Sequence, residues 1–202
     1  MAEKKQHIKS EQEIQEEYKL IVLASMQTDK FELLYNEYFN EIFAFIYKRT
    51  CDTDITGDIT SNVFLKAMLN LKTYKFRGIP FSAWLYRIAV NEVNSYFRET
   101  KKERTISIEE SNIENLLHDV GISDNLEEKS EIIINLLSEL PDKKMQLIEL
   151  RFFENRSYEE IAQILAISIS SAKVKVHRIL NKFKNKIEAA KNKISTFLFL
   201  YV

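Results

Sequence analysis

Seven side chains between residues 170 and 178 are spaced so that they would share one surface of a helix. They are Ser170, Ser171, Lys173, Val174, Lys175, His177 and Arg178. Hydroxyl and backbone N–H groups at a helix start bind phosphates, arginine pairs with a guanine edge, and valine contacts a thymine methyl group. This set of residues therefore predicts contact with duplex DNA in the major groove.

A helix-turn-helix is the element that would present these side chains. Ser157 and Glu160 fit a capping box at the start of a first helix, and Ser168 or Ser170 would cap the second helix after a short turn. Opposite the polar surface, the second helix carries an apolar stripe of Ala172, Val176, Ile179, Leu180, Phe183 and Ile187. Residues 173–193 hold seven lysines and one arginine against one acid. The alternative is an ordinary helix with a solvated basic surface.

A second candidate site is the loop of residues 72–80, in which aromatic and basic side chains alternate. The alternating residues are Tyr74, Lys75, Phe76 and Arg77. Aromatic rings stack on unpaired bases at about 1–3 kcal/mol each while neighbouring cations hold phosphates, so the loop suits single-stranded DNA. The alternative is that both rings pack beneath the helices as loop anchors.

The helix after this loop offers further polar candidates. They are Tyr86, Arg87, Asn91, Asn94, Ser95 and Arg98. Asn91 suits a base edge, whereas Arg87 and Arg98 suit phosphates.

Long helical periods and few turn residues predict an all-α fold. The 202 residues include three glycines and two prolines, too few to punctuate many strands. We expect amphipathic helices over residues 31–46, from near Asp58 to residue 71, and over residues 80–102. The single Cys51 excludes an internal disulfide and a multi-cysteine zinc site. The first 30 residues hold no apolar signal core, which predicts a protein that stays inside the cell.

The net charge of −1 hides a strong separation of charge along the chain. Residues 72–104 carry eight bases and three acids, whereas residues 109–131 carry eight acids and one lysine. We expect two small helical domains that face nucleic acid, joined by an acidic linker that stays off DNA, lies on a basic partner or folds back on the domains. A flexible linker that only solvates the connection is the alternative.

Three segments carry a resemblance to a known family. Residues 58–67 have the sequence DITSNVFLKA, residues 81–91 have FSAWLYRIAVN followed by Arg98, and residues 140–178 contain LP, LRF, SYEEIA and SAKVKVHR. The chain resembles bacterial sigma factors of the sigma-70 class, in the extracytoplasmic-function (ECF) group. The resemblance covers about residues 31–186 and implies a helical bundle called region 2 and a helix-turn-helix domain called region 4.

The resemblance implies a bacterial, cytoplasmic initiation factor that is not itself an enzyme. Region 4 would recognise duplex −35 DNA, and region 2 would open and capture the −10 element in single-stranded form. The implied partners are core RNA polymerase and promoter DNA, with an anti-sigma factor as a further candidate, and no membrane insertion. The resemblance assigns polymerase contact to Asp58, Ser61, Asn62, Leu65, Lys66 and Leu69. No cofactor or metal site is apparent in the sequence, and the alternative function is a stand-alone dimeric helix-turn-helix regulator.

Six positions depart from the family pattern, among them Ser170 and Ala172, which replace a usual glycine and valine. Ser61 and Asn62 stand where the family usually has glutamine and an acid, and Ser95 replaces a common aspartate. Ala166 occupies a position where a turn glycine is frequent. Because a left-handed backbone costs alanine about 1–2 kcal/mol, we expect this turn to use another geometry.

These observations predict five consecutive segments. They are a charged extension (1–28), region 2 (29–104), the acidic linker (105–128), region 4 (129–190) and an apolar tail (191–202). Residues 194–202 are too few to cross a bilayer, which needs about 20 helical residues. The tail either packs against the last helix or docks a partner such as an anti-sigma factor.

Overall fold

The computed structural model describes residues 9–101, 108–121 and 126–200, with side chains described except at residues 110, 126–128 and 190–200. Within these residues the chain forms α1 (Glu11–Met26), α2 (Phe31–Thr50), α3 (Thr53–Asn70), α4 (Ser82–Thr100), α5 (Glu110–Val120), α6 (Leu126–Ser138), α7 (Asp142–Ile148), α8 (Tyr158–Leu165) and α9 (Ile169–Leu200). Short 3-10 turns cover Thr28–Lys30 and Leu71–Thr73, and one π-helical turn covers Glu149–Phe153. The described part of the chain contains no strand, which confirms the all-α prediction.

The chain divides into two compact units. The first contains α1 to α4 together with Glu159–Ala166, which is most of α8 and the residue after it, and the second contains α5, α6, α7 and α9. In the first unit the largest fully buried side chains come from α2, from α4 and from the residue before α4. They are Leu34, Ile42, Phe45, Ile46, Phe81, Leu85 and Tyr86.

Helix α3 begins five residues before the predicted start at Asp58. The Asp52 carboxylate accepts hydrogen bonds from the backbone N–H groups of Asp54 and Ile55, each at 3.0 Å. This N-cap satisfies donors that a helix start leaves free, so the helix extends back to Thr53. The prediction of a start near Asp58 was wrong because Asp52 was not recognised as a cap.

The segment expected as a charged extension contains helix α1. Ser10 and Glu13 form a capping box, with the Ser10 N–H donating to the Glu13 carboxylate at 2.7 Å and the Glu13 N–H donating to the Ser10 hydroxyl at 3.3 Å. Its buried residues are Ile14, Glu17, Ile21 and Ala24, which recur every three or four positions. One side of α1 is therefore part of the core of the first unit.

The segment expected as an acidic linker contains helix α5. Its buried apolar residues are Ile113, Leu116, Leu117 and Val120. They fall on one helical side, and α5 packs against α6 and α9 in the second unit. The connector is thus partly a packed helix, and the proposed boundaries at residues 104 and 129 stay predictions.

Helix α9 buries the stripe that the sequence predicted. Ala172, Val176, Ile179, Phe183 and Ile187 are at most 5% exposed, and Leu180 is half-buried. The helix backbone runs on to Leu200, but the side chains of the apolar tail lie outside the described residues, so both hypotheses for the tail stay predictions. Among the described helices, none is both long enough and apolar enough to span a membrane.

Candidate nucleic-acid and polymerase interface

The start of α9 presents the residues predicted to meet duplex DNA. Ser168 caps the helix, since its hydroxyl accepts a hydrogen bond from the Ser171 N–H at 3.1 Å. Ser171 is half-buried, and the other six predicted residues are exposed: Ser170, Lys173, Val174, Lys175, His177 and Arg178. These side chains alternate with the buried stripe of α9, so they can meet a ligand without disturbing the core.

The turn before α9 differs from the expected geometry. Ala166 has a φ of 53°, which is left-handed. The expectation that alanine would force another turn was wrong, because the short connection between Leu165 and Ile169 holds the residue in this conformation at a cost of about 1–2 kcal/mol.

Lys173 also lies beside an aromatic ring. Its ammonium group is 5.7 Å from the centre of the Tyr158 ring, and the Arg151 guanidinium is 5.0 Å from the same ring. Cations over a ring face are attracted by its quadrupole. Tyr158 thus gathers two positive charges near the start of α9.

In the loop of residues 72–80, the cations point outward and the aromatic rings contact the protein. Lys75 and Arg77 are exposed. The half-buried Tyr74 ring lies 5.3 Å from that of Phe81 and 5.4 Å from that of Trp84, measured between centroids. Burial, followed by the charge of Glu17, raises the pKa of the Tyr74 hydroxyl well above its usual range. Tyr74 therefore matches the anchoring alternative in its packing, while both cations remain open to phosphates.

Helix α4 brings three of its polar candidates to the surface. Arg87, Asn91 and Arg98 are exposed. The Arg98 guanidinium donates a hydrogen bond to the Ser95 hydroxyl at 3.0 Å, so the serine that replaces a common aspartate still holds this arginine. Tyr86 was predicted on the surface and is fully buried, with its ring 4.5 Å from that of Phe45. That prediction was wrong because a phenol ring favours burial when packing partners are available.

Helix α3 exposes all six residues predicted to contact the polymerase. These residues are Asp58, Ser61, Asn62, Leu65, Lys66 and Leu69. They follow a spacing of three or four residues and so form one stripe, called here the α3 stripe. Leu65 is 49% and Leu69 70% exposed, and the two leucines lie one helical turn apart within the α3 stripe. The Lys66 ammonium pairs with the Glu92 carboxylate of α4 at 2.6 Å.

Two family profiles match the sequence. The first covers the α3 stripe and the loop of residues 72–80, and the second covers the start of α9. The profile of sigma-70 region 2 matches residues 34–103, and that of sigma-70 region 4 matches residues 130–183. Together they account for more than half of the chain.

The chain belongs to the sigma-70 family of RNA polymerase sigma factors, in its ECF group.

Relatives of this sigma factor are named RNA polymerase sigma factors. RNA polymerase sigma factor YlaC of Bacillus subtilis is 29% identical over 79% of this chain and 92% of its own length. ECF RNA polymerase sigma factor SigM of the same organism is 26% identical, over 75% of this chain and 91% of its own. The ECF sigma-E factor of Escherichia coli K12 is 29% identical, over 78% and 86% respectively. These matches favour an initiation factor over a stand-alone regulator.

Solved structures share the fold of this sigma factor. CnrH, solved with the cytosolic domain of CnrY, superposes with a TM-score of 0.53 at 18% identity, over 84% of this chain and 96% of that chain. The sigma factor RpoE of Bartonella quintana, solved with the anti-sigma factor NepR, gives 0.53 at 20% identity, over 78% and 96%. At this identity the similarity establishes the fold alone.

The sequence did not indicate how α1 contributes to region 2 of this sigma factor. The buried Glu17 carboxylate accepts a hydrogen bond from the backbone N–H of Phe81 at 2.9 Å and another from the Tyr38 hydroxyl. Lys9 pairs with the same carboxylate at 2.8 Å. A glutamate on a charged helix is normally solvated, so only the three-dimensional contacts reveal this role.

Proposed function

We propose that this sigma factor binds core RNA polymerase through the α3 stripe and directs it to specific promoters, with region 4 on duplex −35 DNA and region 2 on the opened −10 element. The α3 stripe is the observation that carries the proposal. It places two exposed leucines, Leu65 and Leu69, in a row of polar residues, as interface patches do. A regulator that works without polymerase has no need of such a surface beside a DNA-binding loop.

Ser61 and Asn62 make the α3 stripe less charged than is usual in the family. Docking then depends more on apolar contact through Leu65 and Leu69, since Lys66 is already paired with Glu92. We expect polymerase binding to depend only weakly on salt, because screening acts on charged contacts and not on apolar ones.

Recognition of the −35 element is assigned to the exposed side of α9. Lys173 and Lys175 would hold phosphates, and Arg178 and Val174 would contact base edges. The Ser170 hydroxyl, which lies 3.1 Å from the Ser168 hydroxyl, and the N–H groups of the first turn that the Ser168 cap does not use would meet the DNA backbone.

Capture of the −10 element is assigned to the loop of residues 72–80 and the polar side of α4. The exposed Lys75 and Arg77 would hold the strand, Arg87 and Arg98 would take further phosphates, and Asn91 would meet a base edge. The protein would act on promoter opening through the polymerase, without enzymatic chemistry of its own, in the bacterial cytoplasm.

An anti-sigma factor is proposed as a further partner. Both solved structures reported above are complexes, one with the cytosolic domain of CnrY and one with the anti-sigma factor NepR. An anti-sigma factor that covered the α3 stripe would compete directly with polymerase for Leu65 and Leu69.

In vitro transcription tests the proposed function. Purified core polymerase is incubated with fragmented host DNA in the presence and absence of the protein, and transcript starts are mapped. New, discrete start sites are expected only when the protein is present. An absence of starts together with tight duplex binding by the protein alone would refute the initiation function.

A further inference from the structure

Phe76, in the middle of the predicted DNA-capture loop, is stacked on Tyr18 of α1. The ring centroids are 4.4 Å apart, and the ring planes meet at 22°. Both side chains are half-buried. Near-parallel stacking at this distance is a favoured aromatic geometry, and it fixes the orientation of the Phe76 ring. Tyr18 therefore holds one face of Phe76, and the ring is not a freely rotating side chain.

The same helix also holds the end of the loop. Glu17, next to Tyr18, accepts the hydrogen bond from the Phe81 N–H just before α4. Glu17 also accepts the hydrogen bond from the Tyr38 hydroxyl of α2. Helix α1 is therefore bonded both to α2 and to the residue before α4. Helix α1 thus contacts the loop at its central ring and binds the residue that directly follows it.

An open cavity of about 630 Å³ lies one helical turn before Tyr18, between α1 and the loop, and its lining residues other than Ile14 are exposed. Among the described residues its lining is Glu11, Gln12, Ile14, Gln15, Glu16 and Gly78. Gly78 has a φ of +70°, and no heavy atom lies within 4 Å of the position that a Cβ would take. A nucleobase is smaller than the ligands that occupy pockets of about 300–1,000 Å³.

The lining of this cavity suits the edge of a base and not a phosphate. Glutamine amides pair with adenine, and glutamate accepts from the cytosine amine. Phosphates would be repelled by the glutamates, but the exposed Lys75 and Arg77 of the same loop can hold them outside the cavity. A base can enter such a cavity only from an opened strand, because a paired base is held in its stack.

We propose that α1 forms the second wall of the −10 capture site. Tyr18 is a positioning residue that keeps Phe76 in its stacking orientation, and the cavity accepts one unpaired base whose edge contacts Gln12 and Gln15. The proposal rests on the −10 function assigned to region 2. It places base recognition on residues that precede the matched region 2 segment of 34–103.

The Tyr18 part is tested with full-length Tyr18→Ala and Tyr18→Phe variants bound to core polymerase. Permanganate reactivity of unpaired thymines measures opening of a promoter that the wild-type protein uses. Tyr18→Ala should reduce the opened fraction about tenfold, comparable to the loss of one base stack, whereas Tyr18→Phe keeps the ring and should open normally. Binding to polymerase should be equal for all three proteins, and Trp84 fluorescence monitors the folding of region 2.

Normal opening by Tyr18→Ala, or an equal defect in Tyr18→Phe, would overturn the positioning function. If the wild-type protein opens no promoter, the proposed function fails first. If it opens promoters and the variants do not differ from it, only the inference on α1 fails.

The cavity part is tested with a Gln12→Ala, Gln15→Ala double variant. Each base of the single-stranded −10 segment is replaced in turn, and opening is measured for every template. The variant should lose about tenfold discrimination at one position and keep it at the others. The matched control is Gln27→Ala, at the exposed C-terminal cap of α1 and away from the cavity lining. An unchanged base preference in the double variant would overturn the cavity assignment.

Discussion

Replacing Glu17 with leucine should lower the free energy of unfolding of region 2 by about 2–5 kcal/mol. Glu17 is 7% exposed, and its carboxylate accepts hydrogen bonds from the Phe81 N–H and the Tyr38 hydroxyl. Leucine accepts neither, and each buried donor left unpaired costs about 1–3 kcal/mol. Lys9 adds little to this loss, because it is half-buried and still pairs with Glu37 at 2.5 Å.

The single tryptophan makes this loss measurable in the intact chain. Trp84 lies in region 2, with its ring 5.4 Å from that of Phe81, so its fluorescence during urea denaturation reports on this unit. The matched control is Glu16→Leu, which removes an exposed ion pair with Lys19 and should change stability by less than about 0.5 kcal/mol. The reasoning is refuted if Glu17→Leu costs less than about 1 kcal/mol, or no more than the control.

Three further changes test other parts of the protein. Arg178→Ala should relax base preference at one −35 position by about 1–3 kcal/mol, measured by selection from randomised promoters; an unchanged preference would exclude base contact. Leu69→Asp should weaken binding to core polymerase roughly tenfold in a competition assay, while Leu33→Asp, at a leucine of α2 that is 54% exposed, should not. Burial and the Glu17 charge raise the pKa of Tyr38 above its ordinary 10.0, so its contribution is complete below about pH 10 and is lost as the pH rises. Tyr38→Phe should therefore flatten the alkaline loss of stability followed by Trp84 fluorescence, and an equally steep loss would contradict this.

The spacing of apolar residues along the sequence predicted those helices that bury a single apolar side. The stripe from Ala172 to Ile187 and the polar side of α9 were both confirmed, because a helix of period 3.6 fixes which residues share a side. The α3 stripe was assigned by the family resemblance, and all six of its residues are exposed. Helix α5 carried an equally clear apolar spacing at Ile113, Leu116, Leu117 and Val120, but the many acids around it led to the prediction of a linker.

Contacts between distant residues were beyond this kind of inference. Tyr18 and Phe76 are stacked although 58 positions separate them, and the partner of Glu17 at Phe81 is 64 positions away. Neither spacing nor composition indicates such pairs. Glu17 was also hidden by its type, since periodicity treats a carboxylate as a solvent-facing residue. The sequence therefore predicted which side chains of α9 are exposed but not the contacts that α1 makes with Phe76 and Phe81.

Three of the positions that depart from the family pattern, Ser61, Asn62 and Ser95, lie outside the buried core. Ser61 and Asn62 lie on the exposed side of α3. Ser95 is half-buried, and its hydroxyl accepts a hydrogen bond from the Arg98 guanidinium. Because such positions contribute little to the core, they can change partner affinity or promoter preference while the fold stays the same. The loop of residues 72–80 is different, since the Tyr74 and Phe76 rings pack against other rings of the protein while the neighbouring Lys75 and Arg77 are exposed. A substitution there alters folding and recognition together, so stability has to be measured beside promoter opening before a defect is assigned to DNA contact.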